Sequence, residues 1–304
     1  MECRELKVLV VDVLEECAEA AWAWLDAQEG IGTVVIEEDR SKPGHLRLLA
    51  YPDAPSVLDL LEGRRGEMEA ALGLGGWIDA VLGWRVRVMQ REDWAESWKR
   101  HWKPIEVSRR LWLVPAWEET PDAAFAAEAV VRLDPGLGFG TGAHFTTRYC
   151  LEAVSRHVCP GVRVLDLGTG SGVLSVAAVL LGAQQPVIGV EFDRLALEAA
   201  RGNAKLNEVE AGCVWLAEDL EEWEGLAAPV ELVLANLYSS LLTDLIPRLK
   251  RWVCTGGHLV VSGLEGDQGP TVRKAFLAAG GWDLQDERVG GEWTGLDLLR
   301  TGRG

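Results

Sequence analysis

A glycine-rich turn that directly follows a predicted buried strand is the clearest chemical signal in the sequence. The stretch VLDLGTGSG contains Asp166 and, after it, Gly168, Gly170 and Gly172. Glycines let the backbone turn sharply and approach a ligand closely. A dinucleotide fingerprint, G-x-G-x-x-G, would need its third glycine where this chain has Val173. The turn therefore predicts a ligand site and disfavours hydride transfer on a dinucleotide.

Three polar residues end or follow other predicted strands, and the carboxyl ends of parallel strands share one edge of a sheet. Glu191 ends PVIGVE, where a carboxylate can accept hydrogen bonds from both hydroxyls of a ribose, and Asp193 is the alternative for that role. Asp219, with Glu218 beside it, could accept from an adenine amino group. Asn236 ends VLAN and would face the cleft, or it could cap the helix that follows. These positions predict a nucleoside-binding cleft.

A second glycine-rich segment, DPGLGFGTGAHFTT, covers residues 134–147. Its flexible backbone could close over a bound ligand, and Phe139 would offer an apolar wall. Thr147 lies at the start of the next predicted helix, where its hydroxyl could cap the helix or touch the ligand. His144 is the histidine nearest to the predicted cleft, and both a structural role and proton transfer are open for it. We expect this segment to belong to the same site.

Strands and helices alternate through the part of the chain that carries these motifs. Such alternation predicts a parallel sheet with helices on both faces. The last stretch, GGWDLQDERVGGEWTGLDLLRTG, holds two strand-like runs around Gly290 and Gly291 and predicts a hairpin that completes the sheet. The fold class predicted for residues 105–304 is therefore α/β, a Rossmann-like sheet with a terminal antiparallel hairpin.

The first 90 residues follow a different order, β-α-β-β-α-β, with the second helix predicted over residues 56–72. This order is the split form typical of a small α+β, ferredoxin-like domain. We therefore expect residues 1–90 to form a separate domain that precedes the α/β sheet.

A tryptophan-rich segment separates the two predicted domains. Trp94, Trp98 and Trp102 are spaced four residues apart and would form one apolar stripe on a linker helix over residues 91–104. Packing of this stripe onto a neighbouring domain and lining of a substrate groove are both open.

Composition and charge narrow the class of protein. The chain has 304 residues, 48% of them apolar and 25% charged, which is typical of a soluble protein with a packed core. Its 47 acidic and 30 basic residues give a net charge of −17, which argues against binding to nucleic acid and fits a basic partner.

No apolar run reaches the length of a membrane span, and acidic residues interrupt the N-terminus before a signal peptide could form, so we expect a cytoplasmic protein. The six cysteines are scattered and the histidines lack ligand spacing, so we expect no metal centre.

The first glycine-rich turn resembles the first motif of the class I methyltransferases, which bind S-adenosylmethionine. In that class the turn runs beneath the amino-acid end of the cofactor, so the resemblance implies that Asp166 faces the cofactor ammonium directly or through water. Three longer stretches are similar to the ribosomal protein L11 methyltransferase family (PrmA): EDWAESWKRHWKP leading into LWLVPAW, LDPGLGFGTGAHFTT, and VLDLGTGSGVLSVAA followed by ANLYSSLL. The similarity covers nearly the whole chain.

The family resemblance implies a set of cofactor contacts and also shows where this chain departs from the usual pattern. Phe145 replaces a proline, Thr169 replaces a cysteine, and a glutamate replaces the usual aspartate that binds the ribose. None of these changes removes a functional group that the cofactor needs. The implied contacts with S-adenosylmethionine are Thr147, Gly168, Glu191 and Asn236.

The resemblance also implies a reaction, the in-line transfer of a methyl group from a sulfonium to a neutral amine. The amines would be lysine side chains and the N-terminus of a basic ribosomal protein, which the first domain recognises. Asn236 would orient the amine through its side-chain carbonyl, with no single residue acting as base. The alternatives are a methyltransferase for another protein or a small-molecule amine, a module that binds the cofactor without catalysis, and a dinucleotide oxidoreductase. We expect a monomer.

Overall fold

The chain divides into two compact units, residues 1–101 and 102–304. The computed structural model describes residues 5–26, 28, 31–38, 44–52, 55–90, 102–134 and 144–302. The boundaries expected from the sequence, at residues 90 and 105, stay predictions.

Strands and helices in the described ranges are numbered in chain order. The strands are β1 (Glu5–Leu14), β2 (Ile31–Glu38), β3 (His45–Pro52), β4 (Val81–Gln90), β5 (Ile105–Ser108), β6 (Leu111–Pro115), β7 (Ala129–Leu133), β8 (Arg163–Leu167), β9 (Gln184–Glu191), β10 (Cys213–Ala217), β11 (Val230–Asn236), β12 (Val253–Glu265), β13 (Trp282–Gly290) and β14 (Trp293–Arg300). The helices are α1 (Ala18–Asp26), α2 (Pro55–Glu62), α3 (Arg65–Leu74), α4 (Phe145–His157), α5 (Val173–Leu180), α6 (Arg194–Leu206), α7 (Ser239–Trp252) and α8 (Gln268–Ala279).

The first unit is an antiparallel sheet that packs one face against helices. Its strand order is β2-β3-β1-β4, and every neighbouring pair is antiparallel. Because alternate residues of a strand face opposite ways, Leu9, Val11 and Val13 all point into the core shared with α1, α2 and α3. The order of elements agrees with the β-α-β-β-α-β prediction except that two helices, α2 and α3, precede the last strand. The classification of this unit as ferredoxin-like stays a prediction.

The single helix predicted over residues 56–72 is wrong, because two helices, α2 and α3, occupy this segment. Gly63 and Arg64 form a turn between them. Leu61 and Met68, from the two helices, are buried in the same core, so the turn keeps both apolar faces on the sheet.

Most of the predicted linker helix over residues 91–104 lies outside the described residues. Trp94 and Trp98 are among the residues that are not described. Residues 102–104 have no regular secondary structure, so the prediction of a helix is wrong for these three residues. Pro104 accounts for this difference, because the residue before a proline is pushed away from helical backbone angles. Trp102 is buried, and its ring meets Trp117 edge-on with 5.4 Å between centroids.

A seven-stranded sheet forms the centre of the second unit, in the order β10-β9-β8-β11-β12-β14-β13. The strands from β10 to β12 are parallel, and β14 and β13 add an antiparallel hairpin, which confirms the predicted fold class. From β8 the chain moves outward to β9 and β10, and then returns to β11 and β12 on the other side. Strand order therefore reverses between β8 and β11, and open α/β sheets bind ligands at the carboxyl edge of such a point.

Apolar residues on both faces of the parallel strands build the core that holds this edge in place. Leu165, Val233 and Leu259 are fully buried in a cluster that includes residues of α7 and α8.

A separate sheet, β5-β6-β7, lies earlier in the chain. None of the described helices has the length and apolarity needed to cross a membrane.

Candidate active site

The glycine-rich turn connects β8 to α5 at the point where the strand order reverses. Gly168, Gly170 and Gly172 have φ angles of +66°, +53° and +76°, a region that other residues rarely adopt. The backbone N–H groups of Gly168 and Thr169 donate to the carbonyl of Val190 at 2.9 and 3.0 Å, which ties the turn to β9. A Cβ on Gly168 would lie 2.5 Å from Cδ2 of Leu237. The predicted glycines are therefore required by both backbone angle and space.

Asp166 lies beneath the turn and is fully buried. Its Oδ2 accepts hydrogen bonds from the hydroxyls of Thr169 at 2.6 Å and Ser175 at 2.7 Å. Its Oδ1 accepts none from the residues that the structure describes. Burial raises the pKa of Asp166 to about 6. The carboxylate thus supports the turn from below with one oxygen and leaves the other unpaired; contact with a cofactor ammonium stays a prediction.

Replacing Asp166 with asparagine is expected to preserve or raise the free energy of unfolding at pH 7, because the amide carbonyl can still accept both hydroxyls while the buried charge is removed. Burial raises the pKa of Asp166, so above pH about 6 the charged carboxylate lowers the free energy of unfolding. This loss decreases as the pH falls from about 6 to about 4, where the unfolded group is also half protonated. The variant lacks the carboxylate, so its gain in the free energy of unfolding over the unchanged chain should become smaller between the same pH values. Urea unfolding at several pH values measures it, with exposed Asp244→Asn on α7 as control; a gain that grows on acidification would contradict the assignment.

Glu191 ends β9 and connects that strand to the turn. Its Oε2 accepts a hydrogen bond from the N–H of Gly170 at 3.2 Å, and its Oε1 accepts one from the N–H of Asp193 at 3.1 Å. The alternative ribose ligand, Asp193, instead caps α6 by accepting from the N–H of Leu195 at 2.8 Å. Of the two acids, Glu191 is therefore the one held against the turn.

Asn236 ends β11 beside the first turn of α4. Its Nδ2 lies 3.5 Å from Oγ1 of Thr146, which in turn is 2.8 Å from Nδ1 of His144. The N-terminal cap of α7 is Tyr238, with no side-chain cap bond, so the structure gives no support to Asn236 as a helix cap. The amide group of Asn236 therefore contacts the start of α4, and its place in a ligand cleft stays a prediction.

His144 caps α4, since its Nδ1 accepts from the N–H of Thr146 at 3.4 Å. Its ring packs edge-on against Trp293 of β14, with 4.9 Å between centroids. Burial lowers the pKa of His144, which favours the neutral ring that this cap needs. The prediction that Thr147 could cap the helix is wrong, because His144 is the N-cap residue of α4. The side chain of Thr147 is buried.

Two other predicted residues are not brought against the turn by any described contact. Asp219 is exposed after β10, and its Oδ1 accepts from the N–H of Glu221 at 2.9 Å. Phe139 lies outside the described residues. Their contacts with a cofactor stay predictions.

Asn203, in α6, is a site residue that the sequence analysis missed. It is buried, its Oδ1 accepts from the N–H of Asp134 at 2.9 Å, and its Nδ2 donates to the carbonyl of Ser171 at 2.9 Å. It therefore joins the start of the second glycine-rich segment to the first glycine-rich turn. Asn207, one helical turn later, bonds both the N–H and the carbonyl of Arg132. Two asparagines four residues apart on one helix were the available signal.

The strand order, the glycine turn at its reversal point and the polar residues at the neighbouring strand ends define a class I methyltransferase that uses S-adenosylmethionine. Within that class, the chain belongs to the family described as ribosomal protein L11 methyltransferase (PrmA), whose model matches residues 6–301.

Individual relatives support the same assignment. A protein named ribosomal protein L11 methyltransferase from Synechococcus sp. (strain RCC307) is 40% identical over 218 residues, 71% of each chain. One of the same name from Exiguobacterium sibiricum is 40% identical over 257 residues, 83% of this chain and 79% of the relative. A crystal structure of a ribosomal protein L11 methylase from Lactobacillus delbrueckii subsp. bulgaricus aligns with a TM-score of 0.57 and 31% identity, and covers 66% of this chain and 98% of that chain. The family resemblance predicted from the sequence is confirmed.

Proposed function

We propose that this chain transfers methyl groups from S-adenosylmethionine to amines of ribosomal protein L11, namely lysine side chains and the N-terminal amine. The observation that carries the proposal is the place of Asn236. Its strand end lies against the glycine turn, since a Cβ on Gly168 would be only 4.0 Å from the Asn236 carbonyl oxygen. The residue proposed to bind the amine thus lies, by its backbone, next to the segment that would hold the methyl donor.

The residues present fit S-adenosylmethionine. The unpaired, buried Oδ1 of Asp166 suits the cofactor ammonium, reached directly or through water. The glycines of the turn carry no side chain, so the backbone there can approach a ligand closely. Glu191 would accept from the ribose hydroxyls, and Asp219 from the adenine amino group. Thr147, Gly170 and Phe139 would complete the contacts.

The bound cofactor supplies a methyl group on a positively charged sulfur. The protein must then present a neutral amine in line with it, and a lysine amine, with an ordinary pKa of about 10.4, has to lose a proton first. Burial of that amine lowers its pKa. Asn236 would accept a hydrogen bond from the amine through Oδ1, which fixes the direction of attack. Orientation of this kind is worth on the order of 7–11 kcal/mol in well-placed systems.

Replacing Glu191 with alanine is expected to raise the Kd for S-adenosylmethionine by about 10- to 100-fold, because hydrogen bonds to a charged group contribute about 1.5–3 kcal/mol. Glu191→Asp, which keeps the carboxylate, should recover most of the affinity. Calorimetric titration measures both, with exposed Glu198→Ala on α6 as control. Equal affinity in Glu191→Ala and the unchanged chain would remove Glu191 from the site.

The substrate assignment is tested by labelled transfer. Incubation with S-adenosylmethionine that carries a labelled methyl group should label purified ribosomal protein L11, and L11 whose amines have been chemically blocked should stay unlabelled. Label in blocked L11 would exclude amine methylation, whereas label only in other proteins of a cell lysate would favour a different substrate. The net charge of −17 supports a basic, lysine-bearing partner over nucleic acid. A cytoplasmic location and a monomeric state are part of the same proposal.

A further inference from the structure

Three side chains of metal-ligand type meet at the end of α4 that lies away from the candidate active site. His157 ends α4, His258 lies in β12 and Asp297 lies in β14. Nε2 of His157 is 2.6 Å from Oδ2 of Asp297, and Nδ1 of His258 is 2.8 Å from its Oδ1. The two imidazole rings stack with 3.9 Å between centroids. Both rings therefore turn one nitrogen toward the same carboxylate, which is 1% exposed.

The ligand set matches the chemistry of a divalent transition metal. Two imidazole nitrogens and one carboxylate oxygen are a common set for zinc and related ions, with bonds of about 2.0–2.2 Å. The ligand atoms here all lie within 4.8 Å of one another, so small side-chain rotations bring them onto one ion. The side chains of His157 and His258 are 20% and 24% exposed, which gives an ion a path from solvent. Imidazole ligands disfavour magnesium and calcium, which prefer oxygen.

Charges around the cluster can accommodate a bound cation. Asp297 turns one carboxylate oxygen toward each imidazole, so it is the anionic group at the centre of the cluster. Arg156 lies 3.7 Å from Asp297 and 3.3 Å from Asp286. The guanidinium keeps Asp286 as its partner when an ion neutralises Asp297.

We propose that His157, His258 and Asp297 bind one divalent transition-metal ion, with Zn²⁺ as the expected ion. To bind the ion, each ring must present the lone pair of the nitrogen that now faces the carboxylate. The proton on that nitrogen moves to the ring's other nitrogen, or leaves to solvent where that nitrogen already carries one, so each ring binds as a neutral imidazole. A bound ion would fasten α4, whose first turn lies at the candidate active site, to β12 and β14. The expectation of no metal centre rested on spacing along the chain, and these ligands come from three separate elements.

Calorimetric titration of chelator-treated protein with ZnCl₂ near neutral pH tests the proposal. One Zn²⁺ per chain is expected. Loss of a residue that only supports a metal ligand weakens binding by about 10- to 100-fold, so His258→Asn, which removes a ligand itself, should weaken it by about 100-fold. His45→Asn, in β3 of the other unit, is the matched control and should bind as the unchanged chain does. No binding by the unchanged chain, or an equal loss in both variants, would overturn the assignment.

Because a variant of buried Asp297 can fail to fold, a spectroscopic measurement on the unchanged chain completes the test. Added Co²⁺ should develop the visible absorption of a low-coordinate ion with nitrogen and oxygen ligands, and Zn²⁺ should abolish it. A Co²⁺ spectrum identical to that of the hydrated ion would mean that the three residues form only a hydrogen-bonded cluster.

Discussion

Replacing Asn236 with alanine is expected to lower the rate of methyl transfer by about 100- to 1,000-fold, the usual cost of removing one preorganised polar group from a reacting centre. The Kd for S-adenosylmethionine should change by less than about tenfold, because Asn236 is proposed to act mainly on the amine and the cofactor keeps its other contacts. Single-turnover rates with saturating cofactor, together with calorimetric Kd values, separate the two effects.

A matched control for this substitution is Thr146→Val. Thr146 is the described partner of Asn236, but their 3.5 Å contact is long, so its loss should slow transfer by less than about tenfold. An unchanged rate of methyl transfer in Asn236→Ala, or an equal loss of rate in Asn236→Ala and Thr146→Val, would show that the amide does not orient the substrate.

Replacing Gly172 with alanine is the second substitution with a large expected effect. The new Cβ would lie 2.9 Å from Cβ of Ala200 and 2.9 Å from the ring of Trp215, and the φ angle is +76°. Left-handed backbone costs about 1–2 kcal/mol and overpacking about 1–3 kcal/mol, so we expect a loss of about 2–5 kcal/mol in the free energy of unfolding. Because the same residue ends the cofactor turn, affinity for S-adenosylmethionine should fall as well.

Gly182→Ala separates backbone strain from the steric clash. Gly182 has a similar φ of +89°, but a Cβ added there would have no atom within 4 Å among the described residues. We therefore expect a loss of about 1–2 kcal/mol in the free energy of unfolding, and unchanged cofactor affinity. Chemical denaturation measures both variants. Equal losses at the two positions would show that the contacts of Gly172 contribute nothing.

The sequence was sufficient to place residues whose position along a strand decides where they point. Glu191 and Asn236 end parallel strands, so their location at the ligand edge follows from the alternation of strands and helices. The glycines at 168 and 172 could be predicted for the same reason, since a sharp turn must follow the strand. The fold class was recognisable because the family motifs and the alternating elements agree.

Other features depend on three-dimensional contacts that no local pattern contains. Asn203 bonds two segments about 30 or more residues away in the chain, and nothing in its own helix specifies those partners. Asp193 and Glu191 are both candidates by position. Their roles are separated by the helix cap of Asp193 and by the bond between Glu191 and the glycine turn. His144 was recognisable as a histidine near the cleft, whereas its role as a cap depends on where α4 begins.

The claim that this chain methylates amines of ribosomal protein L11 is tested most directly by peptide-level mass spectrometry of L11 after incubation with the protein and S-adenosylmethionine. We expect mass increases in whole methyl increments on lysine-containing peptides and on the N-terminal peptide, and their near absence when the Asn236→Ala variant is used. L11 peptides of unchanged mass after reaction with the unaltered chain, under conditions in which it binds the cofactor, would exclude L11 as its substrate.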